Sequence, residues 1–286
     1  MATEGNVVLA DGRTMTFAQY GAPEGKPVFY FHGAPSSRLE PLLIGDEVFS
    51  RLGLRIIAPD RPGMGRSDFQ PHRSFSDWPV DVMALADTLG IGTFSILGNS
   101  GGGVYAAACA ARIPERLHSV AIVSGAWRMD EPGTLAKLPF MNRLTWLLAR
   151  HAPTLLRLLL KSMGAGAGSD LSQLKTRIPA PDYDAFERQG RYETFGYTLR
   201  ESLRQGTKGP AWDMRLYARP LDVRLQDIRM PLHIFHGLKD ANVPIALVRD
   251  MVAMLPTAKL VAYPHDAHLS TLCNHFDEIA RVLVEG

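Results

Sequence analysis

A serine lies between glycines where an apolar strand passes directly into a helix of small residues. Gly98-Asn99-Ser100-Gly101-Gly102 follows the apolar run 94–97 and precedes an alanine-rich segment that ends at Arg112. A serine at such a sharp turn is pushed outward in a strained conformation, and only very small residues at positions 98 and 102 let the turn pack against a sheet. This context predicts Ser100 as a nucleophile. The alternative is a glycine-rich turn that contains a serine by chance.

Strands and helices alternate on both sides of this turn. The chain opens with an expected hairpin, 7–10 and 13–20, in which Asp11-Gly12 predicts a type I′ turn. Strands that alternate with helices and are apolar on both faces indicate a parallel sheet covered by helices, so the predicted fold class is α/β. The later strands are expected at 28–31, 55–58, 94–97, 117–123, 232–235 and 259–263, with helices at 77–89, 100–112, 244–255 and 269–284.

The alternation stops near Trp127 and resumes at Pro231. We therefore predict a core made of residues 1–126 and 221–286, with residues 127–220 as a helical insertion. Charged side chains and Pro153 interrupt the apolar stretches of the insertion, so it lacks the roughly 20 consecutive apolar residues of a membrane span. Helices folded over the core are the favoured interpretation, and contact with a membrane surface stays open.

Composition excludes several classes of function. The net charge is only +2 and the basic residues are scattered, so nucleic acid is not an expected partner. The first residues lack a basic segment followed by an apolar one, which predicts a cytoplasmic location. Cys109 and Cys273 are the only cysteines, too few for a disulfide framework or a cysteine-rich metal site. The glycine-rich run 164–168 follows a helix rather than a strand, so it is interpreted as a flexible hinge rather than a phosphate loop.

A serine nucleophile needs an adjacent base, and the base needs an acid that orients it. Asp240 follows the predicted strand 232–235 and lies where α/β sites assemble, at the carboxyl end of a strand. Asp222 and Asp227 are weaker candidates because they precede that strand. His268, after the last predicted strand, is the favoured base, and His265 is retained as the alternative.

Acyl chemistry also needs donors for the negative charge that develops on the carbonyl oxygen. The backbone amides of Gly101 and Ala34 are the predicted oxyanion hole, because one follows the nucleophile and the other lies in a short loop of small residues after a strand. The spacing of His32, His233 and His236 matches no helix-borne pair of metal ligands, so they are interpreted as supporting residues. No metal or organic cofactor is expected.

These features together resemble the α/β-hydrolase superfamily. The matching marks are His32-Gly33 after a strand, the segment from Asp60 to Ser67, the turn at Ser100, Asp240 and His268, and they cover roughly residues 26–125 and 228–284. The resemblance implies an eight-stranded, mostly parallel sheet with helices on both faces, an insertion that acts as a cap, and a structural role for Asp60. Ala267 departs from the family pattern, which usually has glycine before the catalytic histidine.

The predicted activity is hydrolysis of a carboxylic ester, or a similar acyl bond, of a small apolar substrate through a covalent acyl-enzyme. Ser100 attacks, His268 takes its proton and water releases the acid. Alternatives are a lactonase, a hydrolase that breaks a carbon–carbon bond in ring-cleavage products, and a non-enzymatic ligand receptor that retains the fold. The substrate is the expected small-molecule partner, and a homodimer stays open.

Overall fold

Eight strands form a single sheet in the computed structural model, which describes residues 3–127, 129–130, 132–167, 170–255 and 257–285. The strand order is β1-β2-β4-β3-β5-β6-β7-β8; β2 pairs antiparallel with β1 and β4, and all other neighbours are parallel. The strands are β1 (Thr3–Val8), β2 (Thr14–Gly21), β3 (Lys26–Phe31), β4 (Leu54–Pro59), β5 (Phe94–Asn99), β6 (Leu117–Val123), β7 (Leu232–Gly237) and β8 (Ala258–Tyr263). The predicted eight-stranded, mostly parallel α/β sheet is confirmed.

The helices cover both faces of this sheet, because alternate residues of its strands point to opposite sides and both sides are apolar. The helices are α1 (Asp46–Arg51), α2 (Trp78–Thr88), α3 (Gly102–Arg112), α4 (Pro132–Ala136), α5 (Phe140–His151), α6 (Pro153–Gly166), α7 (Ala180–Glu187), α8 (Arg191–Ser202), α9 (Lys208–Tyr217), α10 (Ile245–Val252), α11 (His268–Asn274) and α12 (Phe276–Glu285). In β3, Phe29 and Phe31 pack in the core that includes α2, α3 and α10, whereas Val28 and Tyr30 pack in the core that includes α1 and α12.

The first hairpin differs from its prediction. The Gly12 amide donates to the Leu9 carbonyl at 2.9 Å, and the Leu9 amide donates to the Arg13 carbonyl at 2.8 Å. Gly12 has a φ of +85°, but Asp11 is not left-handed as a type I′ turn requires. The predicted type I′ turn is therefore wrong: the connection is a three-residue loop in which a turn ends on a left-handed glycine bulge.

The helices α4–α9 lie between β6 and β7, within the interval predicted as an insertion. Pro153 is the first residue of α6, a position that needs no amide hydrogen, and so it separates α5 from α6. Helix α6 continues to Gly166, so the predicted hinge is wrong for residues 164–166, and Gly168 lies outside the described residues. No helix in the described ranges is both long and apolar enough to cross a membrane.

The predicted helix 269–284 is divided into α11 and α12. His275 lies at the break; its ring stacks on Tyr263 with centroids 3.6 Å apart, and its Nε2 lies 2.8 Å from a carboxylate oxygen of Asp266. These contacts hold the break, and the side chains of α12 then pack on the sheet. Helix α11 begins at His268, at the carboxyl edge of the sheet.

Candidate active site

The turn between β5 and α3 forces Ser100 into a left-handed conformation with a φ of +51°. A side chain on Gly98 would meet the Gly102 carbonyl oxygen at 2.7 Å, and one on Gly102 would meet the Phe31 carbonyl oxygen at 2.0 Å. Both positions therefore require glycine, as the sequence pattern predicts. Left-handed backbone at a non-glycine residue is strained, and here it directs the serine hydroxyl toward the carboxyl edge of the sheet.

Ser100, His268 and Asp240 form a continuous chain of hydrogen bonds. The Ser100 hydroxyl lies 2.9 Å from Nε2 of His268, and Nδ1 of His268 lies 2.7 Å from Oδ2 of Asp240. The other oxygen of Asp240 accepts the amides of Asn242 and Val243, both at 2.8 Å. Asp240 is thereby fixed by its own loop, with one oxygen left to orient the imidazole.

Nearby carboxylates determine how the imidazole titrates. Burial alone would lower the pKa of His268, but the carboxylates of Asp240, Asp182 and Glu40, with Asp240 contributing most, together outweigh burial and raise that pKa. In the neutral imidazole, Nδ1–H donates to Asp240, so Nε2 is free to accept from the Ser100 hydroxyl. This arrangement can remove a proton from Ser100 and keep the resulting imidazolium paired with a carboxylate.

His268 is also held through its main chain. Its amide donates to Oδ2 of Asp182 at 3.1 Å, and its carbonyl accepts the Ser124 hydroxyl at 2.9 Å. Ala267 is fully buried and has a φ of −121°, outside the left-handed region that favours glycine. The φ angle at this position therefore does not require the glycine of the family pattern. His265 is exposed and lines a different cavity, beside Asp266 and His275.

Ala34 and Gly101, the two predicted oxyanion-hole residues, are neighbours in the structure. A side chain on Gly101 would come within 2.8 Å of the Ala34 side chain and 3.2 Å of its amide nitrogen. The neighbouring Gly33 amide is already taken, because it donates to the buried carboxylate of Glu40 at 2.9 Å. No hydrogen bond among the described residues uses the amide of Ala34 or Gly101. These two donors can therefore face an oxygen of a substrate.

A buried ionic cluster holds the loop that carries Ala34. The Arg61 guanidinium donates to the carbonyls of His32 and Gly33 and to Asp213 of α9, the last at 2.9 Å. Arg73 donates to the same carboxylate at 2.6 Å. Burial alone would raise the pKa of Asp213, but the two guanidinium groups outweigh it and lower that pKa. The insertion thus supplies the counter-charge for two core arginines.

The remaining candidate residues lie in supporting positions. Asp60 is buried and accepts the amide of Arg38 at 2.7 Å and its guanidinium at 2.8 Å, while Asp222 accepts the amide of Ser76 and Asp227 pairs with Arg224. Burial lowers the pKa values of His32 and His236, and each ring contacts a main-chain carbonyl at 2.8 Å. Within the described ranges, no group of three or more His, Cys, Asp or Glu side chains could hold a metal ion.

A cavity of about 430 Å³ opens onto Ser100 between the sheet edge and the insertion. Most of its lining is apolar, and α5 and α6 supply Trp146 and Met163. The acidic residues among its described lining are Glu40 and Asp182, and no lysine or arginine occurs there. The volume is in the range of small-molecule sites, and the charge distribution disfavours an anion.

The comparisons with known proteins agree with this architecture. The sequence model of a family described as "alpha/beta hydrolase fold" matches residues 26–272. The chain belongs to the alpha/beta hydrolase fold family. This alpha/beta hydrolase is 26% identical to a 2-hydroxymuconate semialdehyde hydrolase from Pseudomonas putida, over 98% of the chain and 92% of that relative.

Solved structures of other alpha/beta hydrolases share the fold. An esterase from Rhodococcus sp. ECU1013 superposes with a TM-score of 0.70 at 18% identity, over 99% of this chain and 98% of that one. An enol-lactonase from Burkholderia xenovorans LB400 gives a TM-score of 0.68 at 19% identity, over 98% of both chains. At these identities the likeness concerns the fold alone.

Several residues of the site were missed by reasoning from sequence. Asp182 and Asp213 come from the insertion, where no motif marks them, and Glu40 begins a short 3-10 helix that no sequence pattern indicates. A carboxylate next to a helical apolar pattern is usually a solvated residue, so only the tertiary structure distinguishes these three. Arg61 is part of the family-like segment after β4, but its contact with Gly33 has no signal in the sequence.

Proposed function

We propose that this alpha/beta hydrolase cleaves a carboxylic ester of a small, uncharged, mainly apolar substrate through an acyl-enzyme. The observation that carries the proposal is the hydrogen-bond chain from Asp240 through His268 to Ser100, at 2.7 and 2.9 Å. An aligned acid, base and hydroxyl is the arrangement that nucleophilic acyl transfer needs.

The proposed reaction has two halves. The Ser100 oxygen attacks the acyl carbon while Nε2 of His268 takes the hydroxyl proton, and the amides of Ala34 and Gly101 donate to the oxyanion. His268 then gives its proton to the departing alcohol, which leaves an ester on Ser100. Water, deprotonated by the same imidazole, repeats the attack and releases the acid. In this scheme the helices α4–α9 act as a cap that shapes the acyl pocket.

The cavity favours an ester over the substrate of the carbon–carbon hydrolase relative. The name of that relative, a hydroxymuconate semialdehyde hydrolase, denotes a substrate that carries a carboxylate. In this protein the described cavity lining offers Glu40 and Asp182 but no lysine or arginine to pair with such a group. Placing an unpaired carboxylate beside two others in an apolar cavity is strongly unfavourable. A neutral ester or lactone meets no such penalty.

The test is a series of p-nitrophenyl esters, from acetate to laurate, run beside a dienoate ring-cleavage product. We expect multiple turnovers on short and medium esters and negligible cleavage of the dienoate. Ser100→Ala removes the nucleophile and should abolish turnover. Ser119→Ala is the matched control, because Ser119 is buried in β6 and its hydroxyl is not hydrogen-bonded among the described residues.

The same panel distinguishes the alternatives. Efficient cleavage of the dienoate with poor ester turnover would assign carbon–carbon hydrolysis instead. Thermal stabilisation by esters without turnover, together with no labelling of Ser100 by a fluorophosphonate, would indicate a ligand receptor. Undiminished turnover in Ser100→Ala would overturn the mechanism.

A further inference from the structure

The outward faces of α5 and α6 carry exposed apolar side chains next to basic ones. Phe140 is 74% exposed, Leu155 55% and Leu158 61%, although each is a residue that folding usually buries. The α5–α6 surface is defined by the exposed side chains of Phe140, Leu155, Arg157, Leu158 and Lys161.

The charge of this region has one sign. Residues 132–167 contain five basic residues and no aspartate or glutamate; the basic residues are Lys137, Arg143, Arg150, Arg157 and Lys161. The whole chain carries +2 and this segment +5, so the remainder carries −3. Four of these five basic residues lie on α5 and α6, the two helices that also expose the apolar side chains.

We propose that the α5–α6 surface docks on an anionic lipid bilayer. A helix that presents apolar and basic side chains on one face is suited to lie in a membrane interface, where the apolar groups enter the acyl boundary and the basic groups meet lipid phosphates. On α6, Leu155 and Leu158 provide the apolar groups, and Arg157 and Lys161 provide the basic groups. Long basic side chains can also extend their charged ends toward the headgroups while their stems stay apolar.

A second copy of the chain is a less suitable occupant. A two-fold contact places the same surface on both partners, so the basic side chains of one α5–α6 surface would face those of the other. An anionic bilayer instead offers complementary charge across the whole surface.

The position of this surface relative to the cavity agrees with membrane docking. The same two helices also line the cavity, at Trp146 and Met163, and Met163 itself is 43% exposed. An apolar molecule that leaves the bilayer at this surface would therefore meet the cavity wall directly. The docking itself does not depend on the reaction proposed for Ser100.

The experiment is sedimentation of the full chain with vesicles of phosphatidylglycerol and phosphatidylcholine, compared with vesicles of phosphatidylcholine alone. Each basic side chain near an anionic leaflet contributes about fivefold to binding, so Arg157→Gln/Lys161→Gln should weaken binding to the anionic vesicles by about 30-fold. The matched control is Lys26→Gln/Lys259→Gln, which removes two exposed charges at the amino ends of β3 and β8. This control should bind the anionic vesicles as well as the parent protein does.

The apolar contribution has its own pair of variants. Leu155→Ser/Leu158→Ser should abolish binding to the anionic vesicles. The matched control is Val8→Ser/Val80→Ser, which changes two apolar side chains that are 72% and 68% exposed outside the insertion, and it should bind like the parent protein. All four variants change exposed side chains, and melting curves verify that they fold. Absence of binding to anionic vesicles at low salt, or equal losses in the controls, would overturn the proposal. A concentration-dependent dimer that Leu155→Ser/Leu158→Ser abolishes would assign the surface to self-association instead.

Discussion

The carboxylate of Asp182, on α7 of the insertion, accepts the main-chain amide of His268 at the start of α11. The same carboxylate accepts the amides of Leu269 and Ser270, both at 2.9 Å. One residue of the insertion therefore holds the first turn of the helix that carries the proposed base. Its negative charge also contributes to the raised pKa of His268, after the larger contribution of Asp240.

Asp182→Asn should change the pH dependence of catalysis as well as its rate. The base acts in its neutral form, and removing a nearby negative charge lowers the pKa of His268, so the acidic limb of kcat/KM should move to lower pH. Loss of charge-assisted hydrogen bonds should lower plateau kcat about tenfold. The measurement is a pH profile of kcat/KM. Asp184→Asn, an exposed residue on the same helix, is the control. A lower plateau without movement of the limb would reduce Asp182 to a structural role.

The two candidate histidines should respond very differently to substitution. His268→Ala removes the imidazole that contacts Ser100 and should lower kcat by at least about 10⁴-fold. His265 is exposed and lines another cavity, so His265→Ala should stay within about twofold of the parent enzyme, the margin expected of a surface change. Steady-state kinetics on one ester is sufficient. Comparable losses in both variants would contradict the assignment.

Asp240→Asn should lower kcat by about 10⁴-fold with little change in KM. The amide oxygen can keep the hydrogen bonds from Asn242 and Val243, which turns the NH2 group toward His268. Nδ1 would then accept instead of donate, and the tautomer would place a proton on the nitrogen that must receive one from Ser100. Asp227→Asn, which changes an exposed acid paired with Arg224, is the comparison and should leave kcat unchanged.

Asp213→Asn should destabilise the protein by about 3–5 kcal/mol at neutral pH, because it leaves Arg61 and Arg73 buried without a counter-charge. The pKa of Asp213 is lowered by folding, so its contribution to stability is full above the unfolded pKa of about 3.9 and is lost as the pH falls through the lower native pKa. Urea titrations should therefore show a difference from the parent that shrinks in acid. Asp250→Asn, at an exposed site, should have little effect at either pH.

Local sequence patterns predicted the parts of this fold that depend on neighbouring residues. The strand 117–123 was predicted to the residue, and the need for glycine at 98 follows from the Gly102 carbonyl oxygen within the same turn. The need for glycine at 102 depends instead on β3, because a side chain there would meet the Phe31 carbonyl oxygen. The break at His275 was not predictable, because the ring of Tyr263 and the carboxylate of Asp266 that hold it belong to other elements. A single apolar period continues through that break, so the sequence indicates one helix.

The candidate site likewise contains residues that local sequence patterns predict and residues that depend on distant parts of the chain. Ser100, Asp240 and His268 each follow a strand, and parallel strands bring their carboxyl ends to one edge, so their proximity can be expected from chain order. Asp182 and Asp213 belong to helices whose docking on the core depends on packing over more than 80 residues of chain separation. No spacing rule connects such pairs.

The buried cluster around Asp213 also limits how this enzyme could be redesigned. Helices α8 and α9 are joined to the core by Glu201 on Arg38 and by Asp213 on Arg61 and Arg73. Replacing α9 would therefore leave the guanidinium groups of Arg61 and Arg73 without a counter-charge. Helices α5 and α6 pack mainly on α9 through small apolar contacts that include Leu156, Leu160 and Met214. A library aimed at new substrates should therefore exchange residues 132–167 as a module and keep α8 and α9 as part of the scaffold.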